Sequence, residues 1–280
     1  MLVSGLVILA ACSPPVERPT GWARAYQDVT DTFIKSDFDR ALTFSDPIVS
    51  TSPTNAYTDK ALVLRAVIYA GEVKAYKELE DAYTKGIQAA KSPGARSDFE
   101  RVRTDYREYA AKAALGLAEA ALKVTQGGSL PKDLAFEATY PSVEGPTVVK
   151  ELDRVREGGA LSADDQEGAV RDAVRKGVDD VLATLAGGDR SKARSSFQGA
   201  SVPIKELDFA LFLDHQLVDA ASLFDMKHAA DPTRLALVCD QGDRVTEAAL
   251  ALLKENPDKA KEKEVKKIQD EFKAMRKSVQ

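Results

Sequence analysis

Apolar residues follow the 3.6-residue period of an α-helix along most of this chain. The first apolar stripe consists of Trp22, Ala25, Tyr26, Val29 and Phe33. A shorter pattern begins at Phe38, and Pro47 is expected to perturb it because proline inside a helix removes a backbone donor. Residues 57–91 carry a long helical pattern, with Gly71 and Gly86 as expected points of division.

Capping residues and glycines mark where further helices start and stop. Ser97 to Glu100 has the pattern of a capping box and predicts the start of a helix that ends at Gly127-Gly128. Gly187-Gly188 is a predicted helix stop. The predicted N-caps of later helices are Ser162, Asp231 and Asn256, the last two followed by proline.

Residues 129–149 do not share the helical pattern. Three prolines, at positions 131, 141 and 146, prevent a long helix there. Phe136, Ala138 and Tyr140 alternate as in a short extended segment. We interpret 129–149 as an irregular connection between two helical regions.

The predicted helix over residues 205–229 is apolar around most of its circumference. Its apolar positions are Leu207, Phe209, Leu211, Phe212, Leu213, Leu217, Val218, Leu223 and Phe224. A helix of this kind belongs at the centre of a bundle. The patterns together predict an all-α fold in which helical hairpins continue into a bundle with a buried central helix.

A narrow polar strip remains on this helix, formed by Asp208, His215, Asp219 and Ser222. Asp219 lies one turn after His215 and Asp208 two turns before it, so a carboxylate flanks the imidazole on either side. One interpretation is a proton-transfer or metal-ligand cluster. The other, which we favour, is a solvent-facing or interhelix polar seam. No second histidine or cysteine is placed to complete a metal site, so we predict none.

Three further polar or reactive residues lie among apolar neighbours. Asp214 and Asp225 fall inside the apolar arc of the same helix, and an arginine from another helix is the expected partner for them. Cys239 lies in the apolar run Leu235-Ala236-Leu237-Val238-Cys239. It is predicted to be a buried, unreactive thiol, since no cationic neighbour is evident to lower its pKa.

Composition and missing motifs exclude several function classes. Lysine and arginine total 39 against 44 aspartates and glutamates, a net charge of −5, which argues against a nucleic-acid partner. Two cysteines and two histidines argue against a disulfide scaffold and a multi-histidine metal centre. The chain lacks the serine-hydrolase, phosphate-loop, zinc-protease and dithiol motifs. We therefore predict a protein that is not an enzyme.

The N-terminal tetrapeptide Leu9-Ala10-Ala11-Cys12 resembles the lipobox of bacterial lipoproteins. Residues 1–11 are uncharged, too short to span a bilayer and as long as a signal-peptide apolar region. The resemblance implies that residues 1–11 are a signal peptide, and that Cys12 and the new amino terminus are acylated after cleavage. That covalent lipid is the only bound group we expect. Ser13 implies the outer membrane, facing the periplasm, if the host is Gram-negative.

Residues 12–21 follow as a lipidated tether that contains three prolines. Such a segment is stiff and extended. It reaches about 30 Å at most, at ~3.3 Å per residue. The folded part is therefore expected to stay close to the bilayer.

Part of the first helical region resembles the tetratricopeptide repeat. Lys35-Ser36-Asp37-Phe38-Asp39-Arg40-Ala41, with Pro53 twelve residues later, resembles the loop and second helix of such a repeat. Ala61-Leu62-Val63-Leu64-Arg65-Ala66, with Tyr69 and Gly71, looks like the first helix of a following one. The resemblance implies a stack of helical hairpins over residues 22–128 with a concave surface for a peptide or protein.

These features lead to one principal function and one alternative. We expect a membrane-anchored, non-enzymatic adaptor that binds another protein of the bacterial cell envelope. The alternative is a periplasmic lipoprotein that binds a small or apolar ligand, as a transporter auxiliary. Residues 150–280 are expected to pack on the first region as one unit. An open groove over residues 22–127 would favour the adaptor, and an enclosed cavity against residues 207–224 would favour the ligand.

Overall fold

Ten α-helices account for most of the residues that the structure describes. The structure is a computed structural model, and it describes residues 20–126, 130, 134–137, 147–197, 201–225 and 231–278. The helices are α1 (Gly21–Ile34), α2 (Phe38–Val49), α3 (Thr58–Ala89), α4 (Pro93–Thr125), α5 (Thr147–Arg156), α6 (Ala163–Leu185), α7 (Arg190–Ser196), α8 (Glu206–Ala221), α9 (Pro232–Glu255) and α10 (Lys259–Ser278). The predicted all-α class is confirmed.

Two of the predicted helix caps are confirmed. The Ser162 hydroxyl accepts a hydrogen bond of 3.1 Å from the amide of Asp165 at the start of α6. The Asp231 carboxylate accepts one of 3.0 Å from the amide of Arg234 at the start of α9. Each side chain satisfies an amide that has no partner inside its helix. The predicted stop at Gly187-Gly188 also holds, since both glycines have a φ of 92° just beyond α6.

Two other predicted helix starts are wrong. The helix predicted to begin at Ser97 begins at Pro93, where the Ser92 hydroxyl accepts from the amide of Ala95. Proline suits this first position because its fixed φ is helical and the missing N–H has no helical partner there. The last helix begins at Lys259, not after Asn256, because the Asp258 carboxylate caps the amides of residues 260 and 261.

The predicted interruptions of α2 and α3 are wrong as well. Pro47 lies inside α2, near its C-terminal end. Helix α3 runs unbroken for 32 residues through Gly71 and Gly86. A Cβ at Gly71 would lie 2.5 Å from Val178 Cγ2 on α6, and one at Gly177 would overlap the Gly71 carbonyl. The glycines of α3 and α6 therefore permit close packing and do not break the helix.

Helix α3 lies between neighbours from both halves of the chain. It packs against α4 and α6 along most of its length, and also contacts α2, α5 and α8. Helix α9 packs against both α4 and α8. The helices beyond residue 150 therefore pack directly on those before residue 128. The first helical pair, α1 and α2, has 14 and 12 residues, whereas α3 and α4 have 32 and 33.

The apolar helix α8 is buried as expected, but it is shorter than predicted. It ends at Ala221 and continues as a 3₁₀ turn at Ser222–Phe224. The Ser222 hydroxyl donates to the carbonyl of Asp219 at 2.7 Å, a local bond of the kind that competes with helix continuation. The last part of the predicted 205–229 helix, residues 226–229 with His228, lies outside the described residues.

A two-stranded antiparallel ribbon joins the connection to the second half. Strand β1 (Leu134–Glu137) pairs with β2 (Ser201–Ile204), with Leu134 opposite Ile204. The extended character predicted at Phe136 is confirmed, while Ala138 and Tyr140 lie outside the described residues. Nothing in the sequence pattern predicted β2. Within the described part of the chain, none of the helices is both long enough and apolar enough to cross a bilayer.

Candidate functional site

The predicted signal peptide at residues 1–11, the lipidation site Cys12 and the tether as far as residue 19 lie outside the described residues. From residue 20 onward, two regions of the folded chain are candidate sites. One is the predicted polar seam on α8, and the other is a cleft between α2, α3 and α6.

The polar seam lies between α8 and α10. The His215 Nε2 atom is 2.7 Å from Glu264 Oε1, and about half of each side chain is exposed. Lys261, one turn before Glu264, forms an ion pair with Asp208. Both partners therefore come from α10, and His215 bonds to neither of the two aspartates that flank it on α8.

The other two members of the seam face α3 and the end of α8. The Ser222 hydroxyl donates to the backbone carbonyl of Asp219, and it accepts from Lys77 Nζ at 3.4 Å. Asp208, His215 and Ser222 thus have separate side-chain partners, whereas Asp219 takes part through its backbone carbonyl, and the four side chains do not bond to one another. Among the described residues, no group of histidine, cysteine and acidic side chains is arranged to hold a metal ion. This geometry links helices and assembles no reactive centre.

The expectation that an arginine pairs with Asp214 is wrong. Asp214 is fully buried, and among the described residues neither of its carboxyl oxygens has a hydrogen-bond partner. Arg276 on α10 bonds to Asp243 at 2.5 Å and to Asp240 at 2.7 Å. Burial, and secondarily the charge of Asp243, raises the pKa of Asp214 well above its usual value. Asp225 lies beyond the 3₁₀ turn, outside the helix.

Cys239 is a buried free thiol, as predicted. Burial raises its pKa to about 11. The nucleophilic thiolate is therefore scarce at neutral pH, and this residue is unsuited to covalent catalysis.

A cleft of about 210 Å³ opens to solvent where the turn between α1 and α2 meets α3 and α6. Its walls combine four acidic side chains, one arginine, two aromatic rings and two valines. The lining residues are Ser36, Asp37, Phe38, Asp39, Glu72, Tyr76, Glu167, Val170, Arg171 and Val174. Three separate stretches of sequence therefore build this site.

The turn between α1 and α2 holds one wall of the cleft. Ser36 has a φ of 60°, which reverses the chain, and the Asp37 carboxylate caps α2 through a long hydrogen bond of 3.4 Å to the amide of Arg40. Phe38 is buried edge-on against Phe33, with 5.5 Å between the ring centroids. These contacts anchor the turn and fix Asp37 and Asp39 at the rim.

Helix α6 provides the opposite wall through residues spaced three and four apart. Glu167, Val170, Arg171 and Val174 share one face of the helix. Glu167 and Arg171 are exposed, whereas Val174 is buried. The wall is therefore apolar at its base and charged at its rim.

Glu72 forms the floor of the cleft and has no partner. Only 9% of the residue is exposed, and no described residue forms a hydrogen bond or an ion pair with it. Burial raises the pKa of Glu72 to about 8, with the negative charge of Asp39 as the second cause. The carboxyl group is therefore mostly protonated at neutral pH when no ligand is bound.

Arg65, another buried ionisable side chain of α3, differs from Glu72 because it has several hydrogen-bond partners. Arg65 lies two turns before Glu72 and is equally buried. It donates to the Leu42 carbonyl at 3.1 Å and the Ser45 hydroxyl at 2.8 Å, and it forms an ion pair with Asp46. Helix α2 thus supplies acceptors for Arg65 but no donor for Glu72.

Tyr76 connects the cleft to an exposed aromatic surface on α4. Its ring centroid lies 6.3 Å from that of Tyr106 and 5.5 Å from that of Tyr109. Tyr109 is 46% exposed. Burial, followed by the charges of Glu72 and Asp39, raises the pKa of Tyr76, so its hydroxyl stays protonated at neutral pH.

The sequence contains one indication of this site, the position of Glu72 beside an apolar run, but the helical pattern alone does not show that this residue is functional. Glu72 follows an apolar run at residues 66–71 and precedes Val73, so a carboxylate lies on a surface that packs inward. The other walls lie 33 or more residues earlier and 95 or more residues later, and nothing in the sequence brings them together. Comparison of the chain with protein-family models, curated proteins and solved structures gave no match.

Proposed function

We propose that this protein is a non-enzymatic, lipid-anchored helical adaptor of the bacterial cell envelope that binds another protein. The observation that carries this proposal is the open cleft between α2, α3 and α6, where charged and aromatic side chains surround an acid that has no partner among the described residues. In the seam on α8, Asp208 and His215 pair with side chains of α10 and not with each other, which argues against a reactive centre there. Aromatic residues and arginine are enriched at protein interfaces, and this cleft has Tyr76 and Arg171 in its lining with the exposed Tyr109 beside it.

The membrane anchor is the second part of the proposal. Its support is the lipobox-like Leu9-Ala10-Ala11-Cys12 and the proline-rich tether that follows. Several acyl chains on Cys12 would hold the protein stably, where a single chain binds only marginally. The short tether would keep the cleft near the bilayer, at the outer membrane facing the periplasm if the host is Gram-negative.

The alternative, a lipoprotein that binds a small or apolar ligand, has less support. Small-molecule sites typically enclose ~300–1,000 Å³. The cleft has about 210 Å³, opens to solvent and lies away from the apolar helix α8. Its size suits one side chain of a larger partner.

Acyl labelling tests the anchor. We expect Cys12→Ala to abolish incorporation of labelled palmitate and to leave the protein unprocessed or released from membranes. The matched control is Cys239→Ala, which removes the only other cysteine of the chain and should keep the label. Label retained by the Cys12→Ala protein would overturn the lipoprotein assignment.

Site-specific photocrosslinking in the native host tests the adaptor function. We expect p-benzoylphenylalanine in place of Arg171, an exposed residue that lines the cleft, or of Lys35, the exposed neighbour of the lining residue Ser36, to give a discrete adduct with another protein. The same group in place of Ala274, exposed on α10, is the control and should give none. Absence of an adduct at both cleft positions would contradict the proposal.

A further inference from the structure

We propose that the cleft between α2, α3 and α6 binds a lysine or arginine side chain of the partner protein, with the cationic group at Glu72 and the aliphatic stem between Phe38 and Tyr76. This inference rests on the proposed adaptor function. It names the chemistry that the partner must present.

The charges around the cleft favour a cation. Asp37, Asp39, Glu72 and Glu167 line it, and Arg171 is the only basic residue among its lining residues. An anionic group entering the cleft would meet the Asp39 and Glu167 carboxylates at the rim. A cationic group would be attracted by them before it reached Glu72.

Glu72 is the part of the cleft that lacks a partner. A buried carboxyl group without a hydrogen bond is unfavourable, and the neighbouring side chains of this protein leave it unsatisfied. An ammonium or guanidinium group would supply the missing donors. Charge-assisted hydrogen bonds of this kind are among the stronger ones in proteins.

The apolar part of the lining matches the stem of a basic side chain. Phe38 and Tyr76 offer ring surfaces, and Val170 and Val174 offer methyl groups. Lysine and arginine bury their methylene groups against such surfaces while a ring face attracts the cation. The exposed Tyr109 ring next to Tyr76 extends the contact area for residues that flank the inserted side chain.

Binding should release a proton, because Glu72 must ionise to pair with a cation. Charged or titratable groups surround Glu72 from three elements. They are Asp37 and Asp39 at the start of α2, Tyr69 and Tyr76 on α3, and Glu167 and Arg171 on α6. Raising the pH removes the proton from Glu72 without any ligand. Affinity for a cation is therefore expected to rise with pH as far as about 8, the pKa of Glu72, and to level off above it.

The first experiment uses analogues of the two side chains and the full chain purified in detergent. The probes are n-butylguanidinium and n-butylammonium, with n-butanol as the uncharged control. Binding is measured by calorimetry and by the ¹³C resonance of the Glu72 carboxyl group. We expect saturable binding of both cations and no saturable binding of n-butanol. Measurements from about pH 6 to about pH 9, on either side of the Glu72 pKa, should show the rise in affinity and the released proton.

Two variants connect this binding to the cleft. Glu72→Gln should weaken binding of the cations about tenfold or more, since it removes the ion pair. Glu78→Gln is the matched control: Glu78 lies on the same helix, bonds to Lys176 at 2.7 Å and does not line the cleft, so affinity should be unchanged. If Glu72→Gln fails to fold, Asp39→Asn at the exposed rim should weaken binding and remove part of its pH dependence. Equal affinities for wild type and the cleft variants would overturn the inference.

A peptide library separates failure of this inference from failure of the adaptor function. The probes are immobilised nonapeptides with a central arginine or lysine, compared with citrulline or norleucine at the same position. We expect binding of the basic peptides only, and its loss in Glu72→Gln. If n-butylguanidinium and n-butylammonium bind but no peptide does, the proposal that the ligand is a side chain of a protein is refuted. If neither class binds while cleft crosslinking still captures a protein, this inference is overturned and the adaptor function stands.

Discussion

Glu72 in α3 and Asp214 in α8 are both buried carboxyl groups that find no partner in the described part of the chain, but they differ in what can reach them. Burial is the main cause of the raised pKa of each, and one nearby aspartate is the second cause, Asp39 for Glu72 and Asp243 for Asp214. Glu72 is 9% exposed and lines an open cleft. Asp214 is completely buried.

The difference shows that an unpartnered acid indicates a binding site only where a ligand has access to it. Arg276 pairs with Asp240 and Asp243, and no arginine among the described residues bonds to Asp214. Asp214 therefore lowers the stability of the folded state and offers nothing to a partner. Glu72 also has no hydrogen-bond or ion-pair partner among the described residues, but it lines an open cleft, where a cation from outside can reach it.

The largest expected effect is on the pH dependence of stability through Glu72. Its pKa rises from an ordinary 4.5 to about 8 on folding, so its contribution to stability is fully present below pH 4.5 and is lost as the pH rises to about 8. The amide that Glu72→Gln introduces does not titrate. The free energy of unfolding of this variant, relative to wild type, should therefore increase by roughly 1 kcal/mol per pH unit across this window.

Urea unfolding at four pH values between about 5 and about 8 measures this difference. Glu78→Gln is again the control, because its partners Lys176 and Arg156 hold Glu78 at the surface. A constant difference between wild type and Glu72→Gln at every pH would mean that Glu72 titrates normally, and that the cleft supplies it with a donor or with water.

The second effect concerns the enclosed acid. Asp214→Leu replaces the carboxyl group by an apolar group of similar shape, which should stabilise the protein by about 1–3 kcal/mol at neutral pH. The gain should shrink as the pH falls towards the ordinary Asp pKa of 3.8, because the acid is then neutral in both states. Asp219→Leu, at an exposed position of the same helix, should change stability by less than about 0.5 kcal/mol. Destabilisation by Asp214→Leu would reveal a partner for the buried acid.

Local features of the fold were predictable from the sequence, whereas the partners of buried charged groups were not. The helical period, the caps at Ser162 and Asp231 and the burial of α8 are local properties, and the pattern predicted them correctly. The prediction of an arginine partner for Asp214 was wrong, because a partner from another helix depends on tertiary contacts that the pattern along α8 does not contain.

The cleft required contacts that no local pattern contains. The close approach of α3 and α6 depends on Gly71 and Gly177. The sequence pattern indicated Gly71 only as a break in the helix, and it indicated nothing for Gly177. Without that contact there is no reason to place Glu167 and Arg171 opposite Asp39. Glu72 itself stands out only once α3 is known to be continuous and buried on nearly every side.

A smaller effect is expected from the rim of the cleft. Asp39→Asn removes the second cause of the raised Glu72 pKa while burial, the first cause, remains. The pKa of Glu72, followed by its ¹³C carboxyl resonance, should move down but stay above its ordinary value. The control is Asp31→Asn, an exposed aspartate on α1 outside the cleft, which should leave the resonance titration unchanged. An unchanged pKa in Asp39→Asn would show that burial alone sets it.

The smallest effect is expected at the α8–α10 seam, where an acid is neither buried nor alone. His215 and Glu264 are each about half exposed, so water screens their interaction and removal of the imidazole leaves Glu264 solvated. His215→Ala should therefore change the free energy of unfolding by about 0.5 kcal/mol or less and leave cleft crosslinking from position 35 intact. Glu264→Gln should behave in the same way. If His215→Ala keeps its fold but loses biological function, Asp208, His215 and Asp219 must instead act as a proton-transfer or metal-ligand cluster. The solvent-exposed seam, and not the Glu72 cleft, would then be the functional region.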